Sequence, residues 1–384
     1  RYTGLGAEVV KGHARLVDPW TVEVALAGGG NRRMTARAIV LATGAAPIVP
    51  PLPGLEAVGY LTTDTLWQQL RHRPQAPARL VVLGGGPVGT ELAQAFARLG
   101  SAVTQIEAAP RLLSREDKEV SALVQASLER DGVTVLTGHE ATACGVTDGE
   151  KWIDVTHQGV SRRIAFDEMI VAVGRAARLT GYGLEALGLR TGKVVETNDY
   201  LETLFPNILA AGDVAGPYQF THTAAHQAWF ATLNGLFGGV WRFKADYRVV
   251  PRATFTDPEV ARVGLSEAEA QVQGIAHEVT RYGIDDLDRA IADSADHGFV
   301  KVLTAPGSDR ILGVTIVGEH AADILAEFVL ALERRFVMNT TPGTIHTYPT
   351  LAEANKFAAG AWRKAHVNPR ALGLLQRYHR LRRG

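Results

Sequence analysis

Residues 81–100 read VVLGGGPVGTELAQAFARLG, an apolar run, spaced glycines and then an amphipathic segment. Few folds accept that succession. The apolar run predicts a buried strand, and the segment from Pro87 predicts a helix whose first turn loses nothing to the missing proline N–H. Gly84, Gly86 and Gly89 form G-x-G-x-x-G between the two elements. The first glycine permits the tight turn, the second lets backbone approach a pyrophosphate, and the third lets helix and strand pack closely. The helix N-terminus adds free N–H groups and positive potential for phosphates. A glycine-rich turn without a ligand would need no acid downstream. Glu107 nevertheless stands at the end of the next predicted strand, where a ribose-binding carboxylate belongs. The motif therefore predicts a dinucleotide site. Glu107 favours NAD because it accepts from ribose hydroxyls and repels a 2′-phosphate, while Arg111 and Arg115 nearby keep NADP open.

Around this motif the chain alternates strand, helix, strand, helix, strand up to VTVLTG, the grammar of a parallel α/β unit. KWIDVTHQGVSRRIAF predicts an antiparallel excursion before a buried strand in EMIVAVGR. The first fifty residues hold short β-like runs ending in Ala42-Thr43-Gly44, and a stiff connector, PIVPPLPG, follows at 47–54. NILAAGDVAG, residues 207–216, predicts another buried strand that presents Asp213 at its C-terminal end. Open sheets bind ligands there, although an aspartate in that place also serves as a helix N-cap. From Tyr247 strands near 276–283, 298–304 and 311–317 precede helices at 320–334 and 350–364, which suggests a separate α+β domain.

Composition sets the exclusions. Forty Lys and Arg balance forty Asp and Glu, so no bulk field draws the chain to nucleic acid. No run approaches the ~20 apolar residues of a membrane span, and a cytoplasmic protein is the expectation. The one cysteine, Cys144, excludes an intrachain disulfide and a cysteine-rich zinc site, has no basic neighbour to activate it, and is expected to be structural. No metal site is predicted. The tail RALGLLQRYHRLRRG sets Leu372, Leu375, Tyr378 and Leu381 on one helical face among arginines, and is expected to pack on its own dimer rather than on a membrane.

Six ordered motifs carry a resemblance over nearly the whole chain: ATG at 42–44, GGGPVGTE at 84–91, VAVGR at 171–175, AAGDVAG at 210–216, TFTDPEVARVGLSEAEA at 254–270 and HTYPTLAEA at 346–354. In this order and spacing the chain resembles the pyridine nucleotide–disulfide oxidoreductases, flavoenzymes of the dihydrolipoamide dehydrogenase and mercuric reductase type. The resemblance implies a fold of three domains followed by a tail. Residues 1–54 and 205–246 would form part of an FAD-binding domain, 55–204 a Rossmann-like NAD(P)-binding domain, 247–366 an α+β dimerisation domain, and 367–384 a basic tail. It also implies FAD and NAD, or NADP, as cofactors, and a homodimer as the assembly. Thr43, Gly44 and Asp213 would hold the flavin, with Phe220, Thr221 and His222 at its pyrimidine edge. Gly84, Gly86 and Gly89 would take the pyrophosphate of the nicotinamide dinucleotide, with Glu91 near the nicotinamide and Gly174 alongside the nucleotide.

The departures are specific. A first glycine motif for FAD and a redox-active Cys-x4-Cys are expected in this family, and this chain has neither. It is therefore expected to be the C-terminal portion of a longer enzyme, inactive and poor in FAD by itself. That enzyme would pass hydride from NAD(P)H through FAD to a dithiol and then to an unidentified acceptor. A dimeric nucleotide-binding scaffold or sensor is the alternative class. In GTIHTYPTLAE most relatives carry an acid–base histidine where this chain has Tyr348, with Glu353 five residues on. A tyrosine of ordinary pKa, near ~10, keeps its proton at neutral pH and is a poor base. Tyr348 and Glu353 are the expected catalytic pair, tuned to an acceptor such as a metal ion, and His346 is expected to be structural.

Overall fold

A computed structural model describes residues 1–383, apart from the Pro342 side chain. The chain divides into two compact units, Arg1–Ile48 with Gly174–Tyr247, and Val49–Val173 with the residues from Arg248 on. The first division falls inside the proline-rich connector, where the chain has few donors to pair with.

In the first unit Gly12–Asp18, Thr21–Leu26 and Asn31–Thr35 form an antiparallel meander. Ile39–Leu41 pairs in parallel with Ile208–Ala210, and Ala45–Pro47 pairs antiparallel with Arg175–Ala177. The helix Thr221–Phe237 follows the Ile208–Ala210 strand. Leu16, Ile39, Leu41, Leu184, Val195, Ile208 and Val214 build the core. Residues 174–204 thus lie with this unit, whereas the sequence division put them in 55–204. The physical reason is that Leu184 and Val195 are fully buried in this core, and Val195 N–H donates to Val214 O at 2.8 Å.

The second unit holds the parallel sheet predicted around the glycine motif. Its strands run in the order Glu168–Val171, Arg79–Leu83, Ala102–Glu107, Thr134–Thr137. The excursion is a three-stranded antiparallel sheet of Glu140–Thr147, Glu150–His157 and Val160–Phe166. Cys144 is buried there, its Sγ lies 3.4 Å from Pro53 O, and burial pushes the thiol pKa up, which makes it unreactive. A five-stranded antiparallel sheet completes the unit, ordered Arg252–Thr254, Glu259–Gly264, Ile311–Gly318, Phe299–Thr304, Glu278–Gly283. The helices Ala326–Glu333 and Glu353–Ala365 cover it through Phe328, Ala358 and Trp362.

One core joins the parallel sheet's helix Lys118–Arg130 to this second sheet, because Val120, Val124 and Leu128 pack with Val260, Phe299 and Val317. Beside that core lies a buried ionic cluster. Lys301 is 1% exposed, with its Nζ 2.5 Å from Asp117 and 2.7 Å from Glu119. Arg262 is 0% exposed, ion-paired to Glu116 at 2.8 Å and to Glu269 at 2.5 Å. Ser266 caps the helix Glu267–Val272 and exchanges hydrogen bonds with Glu269, a reciprocal cap that fixes the carboxylate facing Arg262. Burial alone would push Asp117 up, but the Lys301 ammonium and the Ala268 N–H outweigh it and hold its carboxyl below the ordinary range.

Candidate functional site

The glycine motif folds as its spacing requires. Gly84 has φ +118°, and a Cβ there would stand 2.4 Å from Ala172 O. A Cβ on Gly89 would stand 2.2 Å from Gly84 O, so the helix Pro87–Arg98 can lie this close to its strand only with glycine. Gly86 is different. Its backbone is extended, φ −76° and ψ 177°, and a Cβ would meet no protein atom within 4 Å. The motif is therefore closed on its two packing sides and open at the helix N-terminus. Both Glu107 oxygens accept backbone N–H bonds, from Gly85 at 2.5 Å and Ala109 at 2.6 Å. The carboxylate is thereby held beside the open face, with lone pairs left for other donors. Glu91 accepts from Phe255 N–H at 2.8 Å, and burial pushes its pKa above the ordinary carboxylate value. Arg111 is spent on the loop, donating to Leu113 O, Ser114 O, Glu116 O and the Ser121 hydroxyl.

In the first unit the predicted flavin residues cluster at the ends of the paired strands. Ala211 N–H donates to Leu41 O at 2.9 Å, which brings the turns carrying Thr43-Gly44 and Asp213 side by side. Thr43 Oγ1 is 3.1 Å from the Tyr182 hydroxyl, and Gly44 O accepts from Arg178 N–H at 3.0 Å. Asp213 is half-buried, with its carboxylate 3.8 Å from Arg175 Nε. Gly174, with φ +143°, belongs to this unit, where its carbonyl accepts from Ile48 N–H at 2.9 Å. Phe220 precedes the helix Thr221–Phe237, and its ring stacks on His222 at 5.1 Å. Sequence reasoning missed Gln227. Its side chain is fully buried, accepts from Gly212 N–H at 2.6 Å and donates to Gly216 O at 2.6 Å and the Tyr247 hydroxyl at 2.9 Å. It thereby locks the turn that presents Asp213. A glutamine in a helix gives no sequence signal for that role.

Tyr348 and Glu353 feel each other's charge but hydrogen-bond to different partners. Tyr348 is 67% exposed and donates to Asp288 at 2.8 Å. Glu353 is 4% exposed and accepts from Thr350 N–H at 3.4 Å. The Asp288 hydrogen bond pushes the Tyr348 pKa up, so its proton is held more firmly than in free tyrosine. His346 Nε2 is 3.1 Å from Glu327, which also accepts from Asn355 at 2.8 Å. The histidine is thus tied through half-buried Glu327 to Asn355, which is fully buried.

Residues 2–228 match the profile described as pyridine nucleotide-disulphide oxidoreductase, and residues 250–359 match the dimerisation domain of the same family. The chain belongs to the pyridine nucleotide-disulphide oxidoreductase family. The mercuric reductase of Streptomyces lividans is 36% identical over 94% of this chain and 76% of its own length. That of Lysinibacillus sphaericus is 35% identical over 92% of this chain and 63% of its own length. The dihydrolipoyl dehydrogenase of Pseudomonas aeruginosa is 35% identical over 92% and 74%. The chain thus spans about two thirds to three quarters of these relatives. Among solved structures, the Cu(II) complex of an HOCl-induced flavoprotein disulfide reductase from Escherichia coli shares the fold, with a TM-score of 0.84, 24% identity and 92% and 78% of the two chains covered.

Members of this family use FAD and NAD(P)H. The residues present fit both groups. A Cβ on Gly86 would enter open space at the helix N-terminus, and Glu107 is fixed beside it. The half-buried Asp213 carboxylate beside Gly44 is a matching acceptor for hydroxyl groups of a flavin side chain. No group of three or more metal-ligating side chains occurs among the described residues.

Proposed function

We propose that the whole protein is an FAD-dependent NAD(P)H oxidoreductase of the mercuric reductase type, acting as a homodimer through residues 250–359. Gly84, Gly86 and Gly89 would hold the pyrophosphate of the nicotinamide dinucleotide, Glu107 its ribose, and Glu91 would lie near the nicotinamide. Thr43, Gly44, Asp213 and the Phe220–His222 segment would hold FAD, with Gly174 beside the bound nucleotide. The flavin, when bound, supplies hydride acceptance and onward electron transfer, and the protein supplies binding and orientation. The net reaction balances as NAD(P)H and Hg(II) giving NAD(P)⁺, a proton and elemental mercury.

The observation that carries this reading is Tyr348, exposed and with its proton retained by Asp288. Acceptors that need thiol protons moved require a base there, and this tyrosine, a weaker acid than a free one, keeps its proton near neutral pH and offers no phenolate to act as that base. A metal acceptor requires no such base, and a hydroxyl can donate to a thiolate complex. On this reading the dithiol would not come from Cys144, the one cysteine of this chain, which is buried.

Hg(II)-dependent NAD(P)H oxidation by the full-length protein tests the proposal. Turnover should rise well above the background oxidation by oxygen, and Tyr348→Phe should lower it while leaving reduction of the flavin by NAD(P)H intact. Lipoamide turnover with no response to Hg(II) would overturn the reading.

A further inference from the structure

The helix Pro369–Arg383 buries none of its residues. Leu374, Leu375, Tyr378 and Leu381 are 66%, 56%, 54% and 82% exposed, and with Leu372 they occupy one half of the helix at spacings of three and four. Arg370, Arg377, Arg380 and Arg383 fall on the other half, and Arg382 lies within the apolar side. After Glu353 the chain has no Asp or Glu at all. Both matched family segments end before it, the second at residue 359.

We propose that this helix lies flat on an anionic lipid surface. Two properties must be satisfied at once, a leucine face that needs a non-aqueous contact and an arginine face with no acid to balance it. A bilayer of anionic lipid meets both, with the apolar side entering the headgroup boundary and the arginines, long enough to snorkel, meeting phosphates. Nucleic acid would match the arginines and leave the leucines in water. Pairing with the same helix of a second copy would match the leucines and bring two sets of five arginines together. At 15 residues the helix is too short to span, and among the described residues no helix is long and apolar enough to cross a membrane. The inference reverses the sequence expectation that the tail packs on its own dimer, and it does not depend on the redox reading.

Co-sedimentation of the chain with vesicles tests it. Vesicles of equal phosphatidylglycerol and phosphatidylcholine should bind at least about tenfold more tightly than pure phosphatidylcholine, and the difference should shrink as salt rises. Arg377→Gln with Arg380→Gln should weaken binding by roughly tenfold, and Leu375→Asp should abolish it. Thermal midpoints should stay unchanged in both variants, because the replaced side chains are exposed. Equal binding to both vesicle types, or no binding, would overturn the proposal. So would loss of the soluble dimer in Leu375→Asp, which would assign the leucine face to a subunit contact.

Discussion

At the scale of single residues, the three motif glycines make different predictions although the sequence pattern treats them alike. Gly89→Ala places a methyl 2.2 Å from Gly84 O and must push helix and strand apart. It should cost roughly 1–3 kcal/mol of stability and weaken NAD(P)H binding as well. Gly86→Ala meets no protein atom and needs no unusual backbone angle. Its thermal midpoint should match that of the parent while NADH affinity, read by fluorescence titration, falls several-fold. Equal loss of stability in both variants would contradict this division. The motif was legible because each glycine answers to neighbours within a few positions. The partners of Tyr348 and His346 were not legible. Asp288 lies sixty positions from the tyrosine, and Glu327 lies nineteen positions from the histidine on a mainly apolar helix.

At the scale of elements, the strand Phe299–Thr304 is buried along its length, and Lys301 sits within it. The Lys301 ammonium is disfavoured by burial, yet Asp117 and Glu119 hold its pKa above the ordinary value, so it stays charged. Lys301→Met would leave Asp117 buried without its cation. The expected loss is roughly 3–5 kcal/mol in urea unfolding, whereas replacing Lys301 and Asp117 together by apolar residues should restore much of it. A single variant as stable as the parent would show that the cluster contributes nothing. Periodicity announced this strand and its neighbours within a few residues. It was silent on residues 174–204, where short apolar stretches such as Leu184 and Val195 join a core whose other half is far away in the chain.

For the whole molecule the same carboxylates set an acid limit. Asp117 is held low, as above, and Glu269 is also held low, since burial raises it but the Arg262 and Ser266 N–H hydrogen bonds win. A carboxyl with a depressed folded pKa contributes stability above its unfolded value, near ~4, and loses it as pH falls toward the folded value. The urea midpoint should therefore be insensitive to these groups near neutrality and should fall below about pH 4.5. Lys301→Met should show a shallower fall, because the cation that depresses Asp117 is gone. Parallel curves for parent and variant would rule out this origin. Family and fold were legible at this scale because six motifs kept their order along the chain. The acid response was not, since it arises where Asp117 meets Lys301 and Glu269 meets Arg262.

That meeting point also bears on how such proteins can be recombined. A chimaera that takes its nucleotide-binding segment from a relative and the residues from Arg248 on from this chain imports Arg262 and Lys301 as buried cations. Glu269 and Glu267 travel with them, but unless the donor segment supplies acids at the positions of Glu116 and Asp117, each cation loses a buried partner at the seam. Compatibility between parents is then decided by four side chains, whatever the identity over the remaining length.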